Sequence, residues 1–292
     1  MAFPQAGRIK ADSDSTMRTA VMLPRSPAPA RAASDRTYNM PDIVVVTIAS
    51  FWAGCVNAIA GGGGLVTLPV LLAIYPRVPT AMLFGTNKTC MVSGTIWSAR
   101  AYVRRVSLPW KQLSLAVLAG FAGGCLGAYA LTIVSGQWVR KLLPLMLTVV
   151  FVQTLLQRRL GAVHAPPHTP RGQATRAACI AGGLGLYDGF FGPGTGSFLI
   201  FLLVKWLGYD FLHAAAAAKV LNAATNLGAL AVFAPTGNIW WQLAVPMAIA
   251  NVAGSLLGTH LTLRHGAWFV RIVFLLVVAC LIIKTGWDVY FF

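Results

Sequence analysis

The sequence predicts an all-α polytopic membrane protein: two tandem repeats of about four transmembrane segments, each opening with a Gly-broken or re-entrant helix. Three observations predict this. First, 57% of the 292 residues are hydrophobic and only 10% charged, with a mean hydropathy of +0.69, whereas soluble domains carry about 25% charged residues. Second, from Ile43 onward the apolar residues fall into segments, most of them the ~20 residues that cross a bilayer core. Third, the same residue types recur at one fixed separation. Lys219 stands 131 positions after Lys88, and the same step joins Trp110 to Trp241, Gly61 to Gly192, Gly63 to Gly194, Gly123 to Gly254, Gly127 to Gly258 and Arg140 to Arg271. An ungapped register that includes Lys and Trp points to internal duplication.

Residues 1–40 are rich in Ser, Ala, Pro and Arg and lack hydrophobic periodicity. They read as a disordered basic tail, and Met40 offers a plausible start of its own, so the sequence leaves open whether translation begins at Met1 or Met40. The first repeat, 41–157, holds apolar segments at about 43–74, 81–103, 112–134 and 138–157. A polar linker, 158–176, separates it from the second repeat, 177–292, with segments at about 177–207, 212–234, 239–262 and 268–290. The opening segment of each repeat is too long for one straight crossing and too short for two. The glycine runs "AGGGGL" (Ala60 to Leu65) and "FGPGTG" (Phe191 to Gly196) lie where a break belongs.

The net charge of +16 would suggest nucleic acid in a soluble protein. Here the basic residues sit mostly in the tail and in short loops, which reads as membrane topology. Four crossings per half would place the tail, the 104–111 loop (Arg104, Arg105, Lys111) and the central linker on one cytoplasmic side. Both termini are then expected in the cytoplasm, with the repeats parallel to each other. The cysteines Cys55, Cys90, Cys125, Cys179 and Cys280 show no metal-ligand spacing and read as small hydrophobes. No cofactor or metal is expected.

The chemistry concentrates in a few polar residues within the apolar segments. Lys88, Lys219 and Asp188 are the ionisable residues near segment centres, where a charge on a lipid face is costly. Both lysines should therefore face the bundle interior, and two cations at equivalent positions suit an anion. The competing reading is structural: a buried lysine can pair with a carboxylate or carbonyls to fix packing. Asn87 adjoins Lys88, and Asn222 and Asn226 follow Lys219 along one helical face. Amide donors suit an oxyanion, although Asn also joins helices in membranes. The breaks at Gly61, Gly63, Gly192, Gly194 and Thr195 would turn half-helix N-termini and free N–H groups toward the anion. Gly120, Gly123, Gly124 and Gly127 fit close helix packing instead. Asp188 has neutral Asn57 as its counterpart, so one half alone offers a titratable group there. It is the coupling candidate for a proton or cation, or a brace for Lys219 or for backbone N–H groups.

"GLYDGFFGPGTGSFLIF" followed by "AAAAAKVLNAATNLGAL" resembles the second repeat of the TauE/SafE sulfite-exporter family. "AGGGGLVTLPVLL" with "FGTNKTCMVSGTI" is similar to its first. The resemblance implies a secondary transporter of the bacterial inner membrane that moves a small anion such as sulfite, a sulfonate, another organosulfur compound or a small carboxylate. It implies site roles for Asp188 to Ser197, Lys219, Asn222 and Asn226 in the second motif, and for Gly61 to Gly64 and Gly85 to Lys88 in the first. The alternatives are a passive anion channel or uniporter, or an intramembrane enzyme acting on a lipid or quinone. The last needs clustered His, Asp or Glu, whereas His164, His168, His213, His260 and His265 lie in loops or at segment ends. The expected partners are a small anion, the lipid bilayer and a coupling proton or cation, with no nucleic acid; the oligomeric state is not readable.

Overall fold

The computed structural model describes residues 39–156, 169–265 and 279. The tail, the 268–290 segment with Arg271, and most of the central linker lie outside the described residues. The described chain is helical: α1 (Met40–Ala60), α2 (Gly64–Ile74), α3 (Thr80–Val103), α4 (Trp110–Ile133), α5 (Gly136–Leu156), α6 (Pro170–Phe190), α7 (Thr195–Leu207), α8 (Phe211–Phe233) and α9 (Trp241–His265). The membrane reading stands, because α1, α4, α8 and α9 contain stretches long and apolar enough to cross a bilayer. α3 is as long as α4 but carries Asn87, Lys88 and Arg100, so its path is set by burial rather than by hydropathy. α6 begins at Pro170, inside the stretch assigned to the linker.

The overlong opening segments are broken at their glycines. Gly61 ends α1 in the left-handed region at φ +74°, its N–H donating to the Asn57 carbonyl at 2.9 Å, a conformation that favours glycine. α2 then folds back along α3: Gly63 lies against Met91, and Thr67, one turn later, against Asn87. In the second half Gly192 (φ +93°) and Gly194 (φ +80°) make the equivalent break before α7.

Helix directions correct the expected parallel repeats. α1 runs parallel to α9: Ser50 donates to the Met247 carbonyl at 2.8 Å, and Ser255 to the Gly54 carbonyl at 3.2 Å. Two apolar clusters mark opposite ends of the bundle. One gathers Val46 of α1, Met82 of α3 and Leu243 of α9 with Leu131 of α4 and Phe233 of α8. The other gathers Tyr102 of α3 with Leu113 of α4, Ala177 of α6 and Ala214 of α8. So α1, α3 and α9 start where α4 and α8 finish, and α6 starts at the opposite end from α1. The first half opens from one end and the second from the other. The start of α1 also lies at the opposite end of the bundle from the 104–109 loop. The physical reason is the re-entrant pair: α1 and α2 together return to their starting end, which leaves an odd number of crossings before α6.

The halves interlock. α4 packs on α6 and α8, while α9 packs on α1 and α3. At Gly123 and Gly127 an added methyl would overlap the backbone of α6, and at Gly254 and Gly258 that of α1. These small-residue contacts let helices approach where lipid provides no hydrophobic drive. Arg140 of α5 donates to the carbonyls of Leu72 and Val78, both at 3.2 Å, tying α5 to the last turn of α2 and to the connection after it.

Asp210 caps α8. One carboxylate oxygen accepts the His213 N–H at 2.8 Å and the other lies 2.6 Å from His213 Nδ1. Partial burial pushes the Asp210 carboxyl up, but the His213 N–H and ring outweigh this and hold it below the usual range. Asp210→Ala is expected to lower unfolding free energy by about 1 kcal/mol, read as a lower thermal midpoint in detergent at pH 7. Because the folded carboxyl titrates below the unfolded one, the difference from wild type should shrink as pH falls below about 4.

Candidate functional site

The two breaks meet at the centre of the bundle. The Gly196 N–H at the start of α7 donates to the Gly61 carbonyl at 3.1 Å, and the two glycines touch backbone to backbone. Around this junction stand α3 and α8, each presenting a lysine near its middle. Lys88, Asp188 and Lys219 are the charged side chains buried among the described residues, each about 2% exposed.

The lysines reach across to opposite halves. Lys88 Nζ forms an ion pair with Asp188 Oδ1 at 2.8 Å; the second carboxylate oxygen, Oδ2, accepts from Thr225 Oγ1 at 2.7 Å. Lys219 Nζ donates instead to the backbone carbonyl of Asn57. Asn57 and Asp188 stand 131 residues apart, as the two lysines do, so each lysine addresses the same position of the other half. One finds a carboxylate there and the other only a carbonyl. The Asn57 side chain turns to Thr95, donating from Nδ2 to Oγ1 at 2.7 Å. Asp188 therefore braces Lys88, not Lys219.

A buried ion pair roughly breaks even against its desolvation, but a lone buried ammonium on a carbonyl does not. With Lys88 paired to Asp188, Lys219 is the buried lysine whose partner is a carbonyl rather than a carboxylate.

The predicted amides fall into two groups. Asn87 accepts at Oδ1 from Thr67 Oγ1 of α2, and Gly64 and Pro193 lie close to one another beside it. Asn222 and Asn226 bind each other: Asn226 Nδ2 donates to the Asn222 carbonyl at 2.7 Å and to its side-chain oxygen. Thr195 Oγ1 donates to the Gly192 carbonyl at 2.9 Å, closing the second break on itself. Gly192 borders Lys88, a methyl there standing 3.1 Å from Nζ. Gly63 and Gly194 begin the two half-helices. The Gly196 N–H is spent on Gly61, so the second break offers fewer free donors than the glycine run suggests.

Sequence reading singled out neither Thr67 nor Thr95. Thr67 was legible as the single hydroxyl of a half-helix that is otherwise apolar or glycine. Thr95 carried no such mark, since α3 holds several hydroxyls. Tyr187 also supports the break, its hydroxyl donating to the Pro193 carbonyl at 2.6 Å.

Residues 46–285 match the family described as Sulfite exporter TauE/SafE. The chain is 33% identical over 247 residues to "Probable membrane transporter protein YfcA" of Escherichia coli strain K12, covering 84% of this chain and 89% of that protein. It is 32% identical over 241 residues to "Probable membrane transporter protein ORF9" of Sinorhizobium sp, covering 82% and 91%. With a "Probable membrane transporter protein" of Haemophilus influenzae it shares 29% identity over 249 residues, covering 84% and 96%. No solved structure matches.

Proposed function

The chain belongs to the sulfite exporter TauE/SafE family and is a membrane transporter rather than an enzyme, and from that premise we propose that it is a secondary transporter of a small anion. The cargo class is sulfite, a sulfonate, another organosulfur compound or a small carboxylate, and export is the proposed direction. The observation that carries the reading is Lys219, buried with a backbone carbonyl as its partner in place of a carboxylate, on a helix that borders the junction of the two glycine breaks. The half-helices α2 and α7 begin at those breaks, and a helix N-terminus carries positive potential.

In this reading the halves are duplicated units of opposite orientation around a pseudo-two-fold axis in the membrane plane, the arrangement on which alternating access operates. Lys219 supplies the charge, Asn87, Asn222 and Asn226 the polar lining, and the glycine breaks at Gly61, Gly63, Gly192, Gly194 and Thr195 the approach of backbone to anion. Lys88 lines the site as half of an ion pair with Asp188. Asp188 is the coupling group, since a proton or cation on its carboxylate releases Lys88. The membrane is the bacterial inner membrane. The end bearing Arg104, Arg105 and Lys111 faces the cytoplasm by its charge.

The test is flux into liposomes of sulfite, thiosulfate, methanesulfonate and small carboxylates, with binding read by thermal shift. Concentrative flux of at least one separates a coupled transporter from a channel. Lys219→Met is expected to reduce anion affinity at least about tenfold, because it removes the unpaired charge. Unchanged affinity in that variant sinks the site.

A further inference from the structure

The charge count at the junction limits what the site accepts. The charged side chains buried among the described residues are Lys88, Asp188 and Lys219, and they sit on α3, α6 and α8, the elements that surround the paired breaks. Lys88 and Asp188 cancel at 2.8 Å. The two carboxylate oxygens of Asp188 face Lys88 Nζ at 2.8 Å and Thr225 Oγ1 at 2.7 Å. Lys219 meets a carbonyl, which lends partial but no formal charge.

We infer that Asp188 sets the valence of the transported anion, holding the site at one positive charge so that it takes a monovalent anion and discriminates against divalent ones. The inference rests on the anion-transport reading above and adds to it the charge of the cargo. In a water-poor site an unmatched charge is far costlier than in solvent. A monoanion beside Lys219 leaves the junction neutral. A dianion leaves it at minus one, unless the carboxylate is itself neutralised. Asn57, at the equivalent place in the other half, is the complementary determinant: a carboxylate there would neutralise Lys219 as Asp188 neutralises Lys88.

The experiment compares binding of methanesulfonate with thiosulfate and sulfate at one fixed pH, in wild type and variants of the full chain in detergent, with liposome flux as the second readout. Wild type is expected to favour methanesulfonate. Asp188→Asn should shift the ratio toward the dianions by at least about tenfold, the effect of one more unbalanced unit charge at close range. Removing both charges, as Lys88→Met with Asp188→Asn, should restore the monoanion preference. Asn57→Asp should abolish binding of all three anions, and it tests the idea even where Asp188→Asn does not fold. If the anions bind and Lys219→Met abolishes binding, but Asp188→Asn leaves the mono-to-divalent ratio unchanged or Asn57→Asp still binds, the valence inference is overturned and the transporter reading stands. If wild type favours the dianions, the valence inference is likewise overturned. Wild type that neither binds nor moves any of the three overturns the anion reading and this inference together.

Discussion

Gly61→Ala is expected to abolish transport and to leave little folded protein. Gly61 sits at φ +74°, where an L side chain costs about 1–2 kcal/mol. Its added methyl would also lie 2.6 Å from the Gly196 carbonyl carbon and 3.0 Å from Ser197 N, closer still to Gly196 Cα. Those are backbone atoms of the other half, and a rotamer change does not relieve the clash. Overpacking of this kind costs about 1–3 kcal/mol, so the combined effect is about 2–5 kcal/mol, a large share of a marginal stability. The two breaks would have to separate, moving both half-helix N-termini from the junction. Gly183→Ala is the control: nothing lies within 4 Å of a methyl there, and inside α6 it should be neutral or stabilising by up to about 1 kcal/mol. The measurement is the thermal midpoint and monodisperse yield in detergent, followed by flux. Equal yields and midpoints for the two variants would mean that the junction is not the close contact described.

Much of this junction was legible in the sequence because membrane burial makes polar residues conspicuous. Lys88, Lys219 and Asp188 stood out by charge alone, and the fixed separation made the lysines equivalents before their surroundings were known. The glycine runs announced the breaks, since segments of just over 30 residues fit neither one crossing nor two. What the sequence withheld was partnership. Asp188 had two lysines to choose from, and local spacing favours neither, because both pairings span helices distant in sequence. The choice of Lys88 follows from the opposite entry of α1 and α6, which points each lysine at the other half. Direction was misread for a related reason. Loop charges count sides correctly only when crossings are counted correctly, and a re-entrant pair such as α1 and α2 looks in sequence like a single interrupted span. The error lay in placing the start of α1 on the same side as the basic 104–111 loop.

Asn57 and Asp188, 131 residues apart, receive the two buried lysines in different ways. The backbone serves the same role at both equivalent positions, receiving a lysine from the other half, while the side chain differs by one group. A carboxamide turns away to Thr95 and leaves Lys219 to the carbonyl. A carboxylate holds Lys88 and Thr225 at once. One difference in side-chain chemistry thus gives Lys88 a carboxylate partner and leaves Lys219 a carbonyl.

Lys88→Met is the second variant with a large expected effect, and a double-mutant cycle identifies its cause. Removing the ammonium leaves Asp188 buried, about 2% exposed, with the Thr225 hydroxyl as its remaining side-chain donor. Breaking a buried pair from one side costs about 3–5 kcal/mol, mostly the penalty of the stranded charge. Asp188→Asn alone should cost less, since Lys88 keeps an oxygen acceptor within reach. The double variant, Lys88→Met with Asp188→Asn, should recover most of the loss, because neither charge is then stranded and Met fills the lysine stem. Unfolding of the anion-free protein in detergent measures each corner of the cycle, and a coupling of about 2 kcal/mol or more is expected between residues in direct contact. Simple addition of the two single losses would mean that Lys88 matters for its volume and that the ion pair joining the halves contributes no specific coupling. Recovery would instead show that the halves are held at their centre by a charge pair that can be removed as a unit.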